Sequence, residues 1–429
     1  MELPRVLVIS SDPFSKECAN GRTLGSLFIG YPKDKLAQLY CNDYPLDMLD
    51  CRYFRLSDKM ILSRFKTRGS LGEERQYADN NDDSEPLERK PEHKKNPFTC
   101  LIRDDMWRSC LSNSKKLDKW IDSFNPEIVL LQASDRPYEY DYARRLSKKR
   151  GIPLVIHNSE EYFFKKDSYF AKSDGASIFY PLWHKRIVSS FTKMMKQAST
   201  SIYLHSALLD AYMKAFPTSK GEVIMTSTLV KPGPYTPKDD KFKVIYFGNL
   251  ASKRHESLIE IAKCLDSLTK DYSFDVYGSI EKGAGKEELE SCPYLSYHGL
   301  VSYKELRGLV KDTDLIVHAV SFDEDILHCH LLQFSTKIAD CLASGRCFLV
   351  YAPKDLAFVK YLNENKACYV ATSEENLKEE LSLLINDPTS RNKYLASAAS
   401  LVDKDHSEKK NAAKMQSILL DVIANEKVS

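Results

Sequence analysis

No stretch of this chain is apolar over anything near the ~20 residues of a membrane-spanning helix, and the N-terminal run RVLVIS is also too short for a signal-peptide core. The expectation is a cytoplasmic protein, at most peripheral at the inner face of a membrane. Net charge is nearly absent: Lys+Arg 62 against Asp+Glu 60 leaves +2, which carries no whole-chain signal for nucleic acid. The 11 cysteines include no CxxC pair, and their odd number and scattering from Cys18 to Cys368 exclude a small disulfide framework and fit a reducing compartment. His328, Cys329 and His330 resemble a metal-binding run, but adjacent positions point in different directions and no second ligand cluster accompanies them. No metal site is expected.

What the chain does have is length and alternation. Its 429 residues exceed the ~250 to 300 at which single cores stop growing, so two domains are expected. Short apolar runs such as Val6–Ser10, Glu127–Gln132, Ile152–Ile156, Lys243–Phe247, Asp314–Ala319 and Cys347–Tyr351 alternate with helix-length amphipathic stretches. This α/β pattern implies parallel sheets covered on both faces. The charged, turn-rich stretch Lys66–Pro97 reads as a mobile surface loop, and the proline-rich Lys231–Lys241 as a linker. The boundaries follow as 1–230, 231–406 and a final helix over 407–429. Two doubly wound, Rossmann-like domains of this kind would face each other across a cleft, with ligands outside the carboxyl ends of the strands.

The segment FSTKIADCLASGRCFLVYAP (Phe334–Pro353) carries the sharpest chemical signal. Ser335 can cap a helix, Thr336–Ser344 can form it, and Gly345 can stop it in the left-handed region. Lys337 in the first turn opposes the helix dipole unless an anion sits in front of it. A diphosphate resolves the conflict: the N–H groups of Ser335, Thr336 and Lys337 would cradle its oxygens, and Asp340 one turn on would accept from ribose hydroxyls. The same residues also suit an exposed helix start in which Lys337 and Asp340 pair weakly. Near the N-terminus a strand, loop and helix opening places Asn20 as a cap, Gly21 where backbone can approach a ligand, and Arg22 at the helix start. Gly248–Arg254, Gly278, His298–Val301 and Ser321–Lys337 follow strand ends in the second half, as Ser10–Arg22, Gln132–Arg136 and His157–Glu161 do in the first.

Taken together, YFGNLASKRHESL (Tyr246–Leu258), FDVYGS (Phe274–Ser279), YHGLVSYKEL (Tyr297–Leu306) and FSTKIADCLASG resemble the GT-B glycosyltransferases, particularly the retaining family 4 and its relatives in bacterial capsule and cell-surface polysaccharide synthesis. The likeness implies a GT-B fold with an acceptor-side first domain, a nucleotide-sugar-binding second domain and a final helix, 407–429, that returns to the first domain. The implied activity is metal-independent transfer of a hexose, with retention, from a nucleotide-diphosphate donor to a saccharide or lipid-linked saccharide hydroxyl. No cofactor is implied, and a UDP-sugar is favoured over a GDP-sugar. Gly248, Asn249, Lys253 and Arg254 would hold the diphosphate, Asn249 standing where an arginine is customary, with Lys337 supplying the missing charge. Tyr297–Val301, including Leu300 and Val301, would hold the nucleobase through backbone groups, Gly278 would belong to the donor site, and Asp340 matches the second glutamate of the family's E-x7-E motif. The first glutamate falls on Leu332, so the acidic loop Asp323–Asp325 is the expected substitute, with Glu324 chosen, unless that loop is simply solvated. His157, two residues before the family's usual histidine position, is a candidate base or sugar contact, although a histidine at a strand end is more often a hydrogen-bonded structural residue. Basic groups at Arg144–Arg150 and Lys185–Lys196 could touch anionic lipid or simply be solvated. A non-catalytic subunit partnering a true transferase and a nucleotide-sugar 2-epimerase are the alternative functions.

Overall fold

The computed structural model describes residues 2–67, 71–77, 96–112, 114–166, 178–231, 241–280, 283–327 and 330–426. The chain divides into two compact units, the first running through Ser227 and including Glu408 onward, the second spanning Thr228–Ser407.

In the first unit the strands are β1 (Val6–Ile9), β2 (Leu36–Tyr40), β3 (Arg52–Arg55), β4 (Glu73–Arg75), β5 (Ile128–Gln132), β6 (Leu154–Asn158), β7 (Thr200–Tyr203) and β8 (Gly221–Val223). Its helices are α1 (Ala19–Ser26), α2 (Asp58–Thr67), α3 (Pro97–Leu111), α4 (Lys115–Phe124), α5 (Pro137–Arg150), α6 (Tyr180–Met195) and α7 (Ser206–Ala215). The strands form one sheet in the order β4-β3-β2-β1-β5-β6-β7-β8, parallel except where β4 runs against β3. The order reverses at β1 and β5, the reversal at which doubly wound sheets bind ligands.

The second unit contains β9 (Phe242–Phe247), α8 (Arg254–Leu268), β10 (Tyr272–Tyr277), α9 (Ala284–Ser291), β11 (Ser296–Gly299), α10 (Tyr303–Lys311) and β12 (Leu315–Ala319). It continues through α11 (Glu324–Leu327), α12 (Lys337–Ala343), β13 (Cys347–Tyr351), α13 (Ala357–Asn365), β14 (Tyr369–Ala371), α14 (Glu374–Asn386) and α15 (Pro388–Asp405). Its all-parallel sheet has the order β11-β10-β9-β12-β13-β14, reversing between β9 and β12. Apolar layers cover both faces: Val244, Tyr246, Val317 and Leu349 point to one, Ile245, Ile316, Phe348 and Val350 to the other. The last helix, α16 (Glu408–Glu426), packs Met415, Leu419 and Val422 into the core of the first unit beside Val6, Val8 and Leu24.

Some local details differ from the sequence reading. Cys18, not Asn20, stands at the N-cap of α1, and the Asn20 amide instead reaches the Asp12 carboxylate at 3.3 Å. Thr336, not Ser335, is the N-cap of α12, without a side-chain cap bond, and Gly345 adopts φ +72° after it. Within the charged stretch 66–97, α2 ends at Thr67, Glu73–Arg75 adds an edge strand and Pro97 opens α3. Residues 68–70 and 78–95, like 232–240 of the expected linker and His328 and Cys329, lie outside the described residues.

Candidate functional site

At the strand-order reversal of the second unit, three strand ends are laced by glycines. The Gly248 N–H donates to the Tyr277 carbonyl at 2.8 Å, and the Gly278 N–H donates to the Gly299 carbonyl at 2.7 Å. A Cβ on Gly278 would fall 1.8 Å from the Gly248 carbonyl oxygen, so the backbones touch where no side chain fits. Gly248, at φ +142°, is open for a different reason: a Cβ there would lie 1.6 Å from Lys337 Nζ.

Lys337 opens α12 and folds back over that glycine. Its ammonium donates to the Phe247 carbonyl at 3.0 Å and lies 5.7 Å from the centre of the Tyr246 ring. Burial, helped by the nearby Arg254 charge, pushes its pKa down to about 8. Arg254 opens α8; its Nη1 donates to the Asn249 carbonyl at 2.9 Å, which also accepts from Tyr246 Oη at 2.9 Å. Arg254 Nε is buried without a hydrogen-bond partner among the described residues. Two cations therefore stand at the positive ends of two helices, where the dipole favours anions. His318, buried on β12, is held neutral, its pKa well below the usual range through burial and the nearby charges of Lys337 and Arg254.

The neighbouring turn carries strain. Ser252 and Lys253 both have positive φ, +59° and +55°, and Lys253 Nζ meets Asp323 Oδ2 at 2.5 Å. Asp323 is seated by its own N–H, which donates to Ser321 Oγ at 3.1 Å. Glu324 is exposed at the start of α11, while Leu332 is half-buried in the loop before α12. Asp340 accepts from Thr228 Oγ1 at 2.8 Å. Ser335 and Thr336 are half-buried, as is Val301, whereas Leu300 is 68% exposed just past Gly299.

The structure thus gathers Gly248, Asn249, Lys253, Arg254, Gly278 and Lys337 around one reversal, with Asp340 one helical turn away. Gly21, Arg22 and His157 belong to the other unit. A Cβ on Gly21 would lie 2.0 Å from the Pro13 carbonyl oxygen, so its smallness serves the packing of its own loop. Arg22 is half-buried, and its N–H donates to the Cys18 carbonyl. His157 is fully buried, and among the described residues neither ring nitrogen is hydrogen-bonded, so it is not the hydrogen-bonded structural histidine expected; burial lowers its pKa to about 4.

Sequence reasoning missed a role for His318 and Tyr246, both inside apolar strands, and it missed Glu139 and Asn42 of the polar cluster at the reversal of the first unit. There Glu139, 2% exposed, accepts from Ser134 Oγ at 2.7 Å and Ser11 Oγ at 3.1 Å, with Arg136 at 3.6 Å. Burial raises the Glu139 pKa against the pull of Arg136. Asp12 accepts from Asn42 at 2.6 Å, and Asn42 accepts from Arg136 at 3.1 Å. Ser11 and Arg136 follow strand ends and were legible as such; Glu139, inside α5, was not.

Residues 254–417 match a family model described as glycosyl transferase-like. No protein with a curated description matches the sequence. Among solved structures, the sucrose-phosphate synthase of Thermosynechococcus elongatus superposes with a TM-score of 0.63 at 11% identity, over 98% of this chain and 100% of that one. HepE of Anabaena in complex with UDP and glucose gives 0.62 at 12%, over 97% and 99%. The lipopolysaccharide outer core galactosyltransferase WaaB gives 0.57 at 12%, over 96% and 98%. The chain has the fold of the GT-B glycosyltransferases. Fold and family match together support a glycosyltransferase.

Proposed function

We propose that the protein transfers a sugar from a nucleoside-diphosphate donor to a hydroxyl of a saccharide or glycolipid acceptor, with retention, as the resemblance to the retaining family implies. The observation that carries this reading is the placement of Lys337. Its ammonium is partly desolvated on the Phe247 carbonyl, beside the like charge of Arg254 and at a helix start. Each of these features is unfavourable for a cation alone, and each is relieved by a diphosphate in front of it. In this reading Arg254 and Lys337 offset the charge that grows on the departing diphosphate, and Asp340, positioned by Thr228, faces the ribose. Uridine is favoured because the HepE structures hold UDP and UDP-glucose.

The first unit would present the acceptor, its polar cluster around Glu139 and Asp12 offering acceptors for sugar hydroxyls. Peripheral contact with anionic lipid belongs to the reading through the exposed Lys185 and Lys193 of α6 and Lys196 just after it. The basic end of α5 contributes less, because Arg144, Lys149 and Arg150 pair with Asp141, Asp118 and Asp122. No helix among the described residues is long and apolar enough to cross a membrane.

Calorimetry with UDP, followed by turnover of the Lys337→Ala variant, tests the proposal. Loss of one preorganised donor to a developing anion lowers turnover by ~100- to 1,000-fold, with the fold retained. Unchanged turnover at saturating donor would remove the phosphate role of Lys337.

A further inference from the structure

The β9 and β12 strands are neighbours at the reversal, and the segments that leave them reach toward each other. From the first comes Lys253; from the second comes Asp323; their side chains close at 2.5 Å. The two partners are not equally held. Asp323 is only 22% exposed and is seated on Ser321, whereas Lys253 is 52% exposed on a flexible stem. Its backbone and that of Ser252 are kept in the left-handed region, which β-carbon-bearing residues occupy only where the surroundings hold them there. Of the three cations at this crevice, Lys337 and Arg254 bond backbone carbonyls, while Lys253 bonds a carboxylate.

Resting on the donor reading above, we propose that Asp323 is a charge gate that sets the preference for a glycosylated over a bare nucleoside diphosphate. Any diphosphate at this reversal competes with Asp323 for Lys253 and meets the carboxylate as a like charge. A bare nucleoside diphosphate carries one more ionisable oxygen on its terminal phosphate than its glycosylated form does, so Asp323 opposes it more. The glycosylated form brings sugar hydroxyls that can donate to the carboxylate once Lys253 has turned to the phosphates. The gate therefore weakens retention of the spent nucleotide while leaving the donor a partner for each charge. It also supplies a carboxylate from the loop of β12, a role that the exposed Glu324 is less well placed to fill.

The test is titration calorimetry of the full chain with UDP and with UDP-glucose, on wild type, Asp323→Asn and Lys253→Met, with melting curves as the folding check. The gate requires opposite signs. Asp323→Asn should tighten UDP about two- to five-fold, the range of a partly screened ion pair, without tightening UDP-glucose equally. Lys253→Met should weaken UDP. A merely structural pair would move both variants in the same direction, and unchanged or weaker UDP binding by Asp323→Asn overturns the gate while leaving the donor reading intact. Tighter UDP binding by Asp323→Asn with unchanged UDP binding by Lys253→Met also overturns it. Failure of the wild type to bind either nucleotide would sink the donor reading and the gate together.

Discussion

The proton on Lys337 couples this residue to both stability and ligand binding, and the two respond to pH in opposite directions. Its pKa falls from 10.5 to about 8 in the folded chain. Between those values the unfolded chain binds the proton and the folded chain does not, so this group's contribution to stability rises with pH across that window. Below about pH 8 the native state carries a charge that burial disfavours. Diphosphate binding needs that charge, so UDP affinity should weaken as pH climbs through about 8. Lys337→Arg, whose guanidinium stays protonated, should flatten the profile in calorimetry over the same range. A wild-type affinity that holds level from neutral pH to about 9.5 would mean that the ammonium does not face the phosphates.

The three strand ends at the reversal form the next unit of explanation. Gly248 and Gly278 are both intolerant of a side chain, but the obstacles differ. At Gly278 the obstacle is backbone, the Gly248 carbonyl oxygen 1.8 Å from an added Cβ. At Gly248 it is the tip of a lysine, which can swing away. Gly278→Ala should therefore destabilise the second unit by about 1–3 kcal/mol or more, as overpacking does. Gly248→Ala, although strained at its positive φ, should chiefly displace the ammonium and weaken UDP. Chemical unfolding and calorimetry on the pair separate the two effects; equal stability losses with equal UDP affinities would contradict the distinction. Element by element, legibility followed the period of the apolar residues. Strands buried on both faces, such as Ile128–Gln132 and Cys347–Tyr351, read directly as apolar runs. β2 was hidden by Gln38, fully buried yet satisfied by Phe14, Ser10 and Asp12. β3 was hidden by Arg52 and Arg55 at its ends, and α15 by burying little beyond Ala398 and Leu401.

Over the whole molecule, α16 links the end of the sequence to its beginning. Met415 and Leu419 are fully buried in the core of the first unit. Met415→Ala should cost about 2–5 kcal/mol. Tryptophan fluorescence during urea unfolding reports on this unit selectively, since Trp107, Trp120 and Trp183 all lie in it and are buried. An unchanged midpoint would show that the helix is dispensable. The sequence by itself determined the alternation of strands and helices and the oddity of a lysine at a helix start, because apolar period and helix dipole act over a few neighbouring residues. Only the tertiary structure decided what those charges meet. Lys337 found a carbonyl 90 positions away, Asp340 a hydroxyl 112 away and Lys253 a carboxylate 70 away. Such pairings depend on which strands become neighbours in the sheet, and strand order is set by long-range packing that no local pattern encodes.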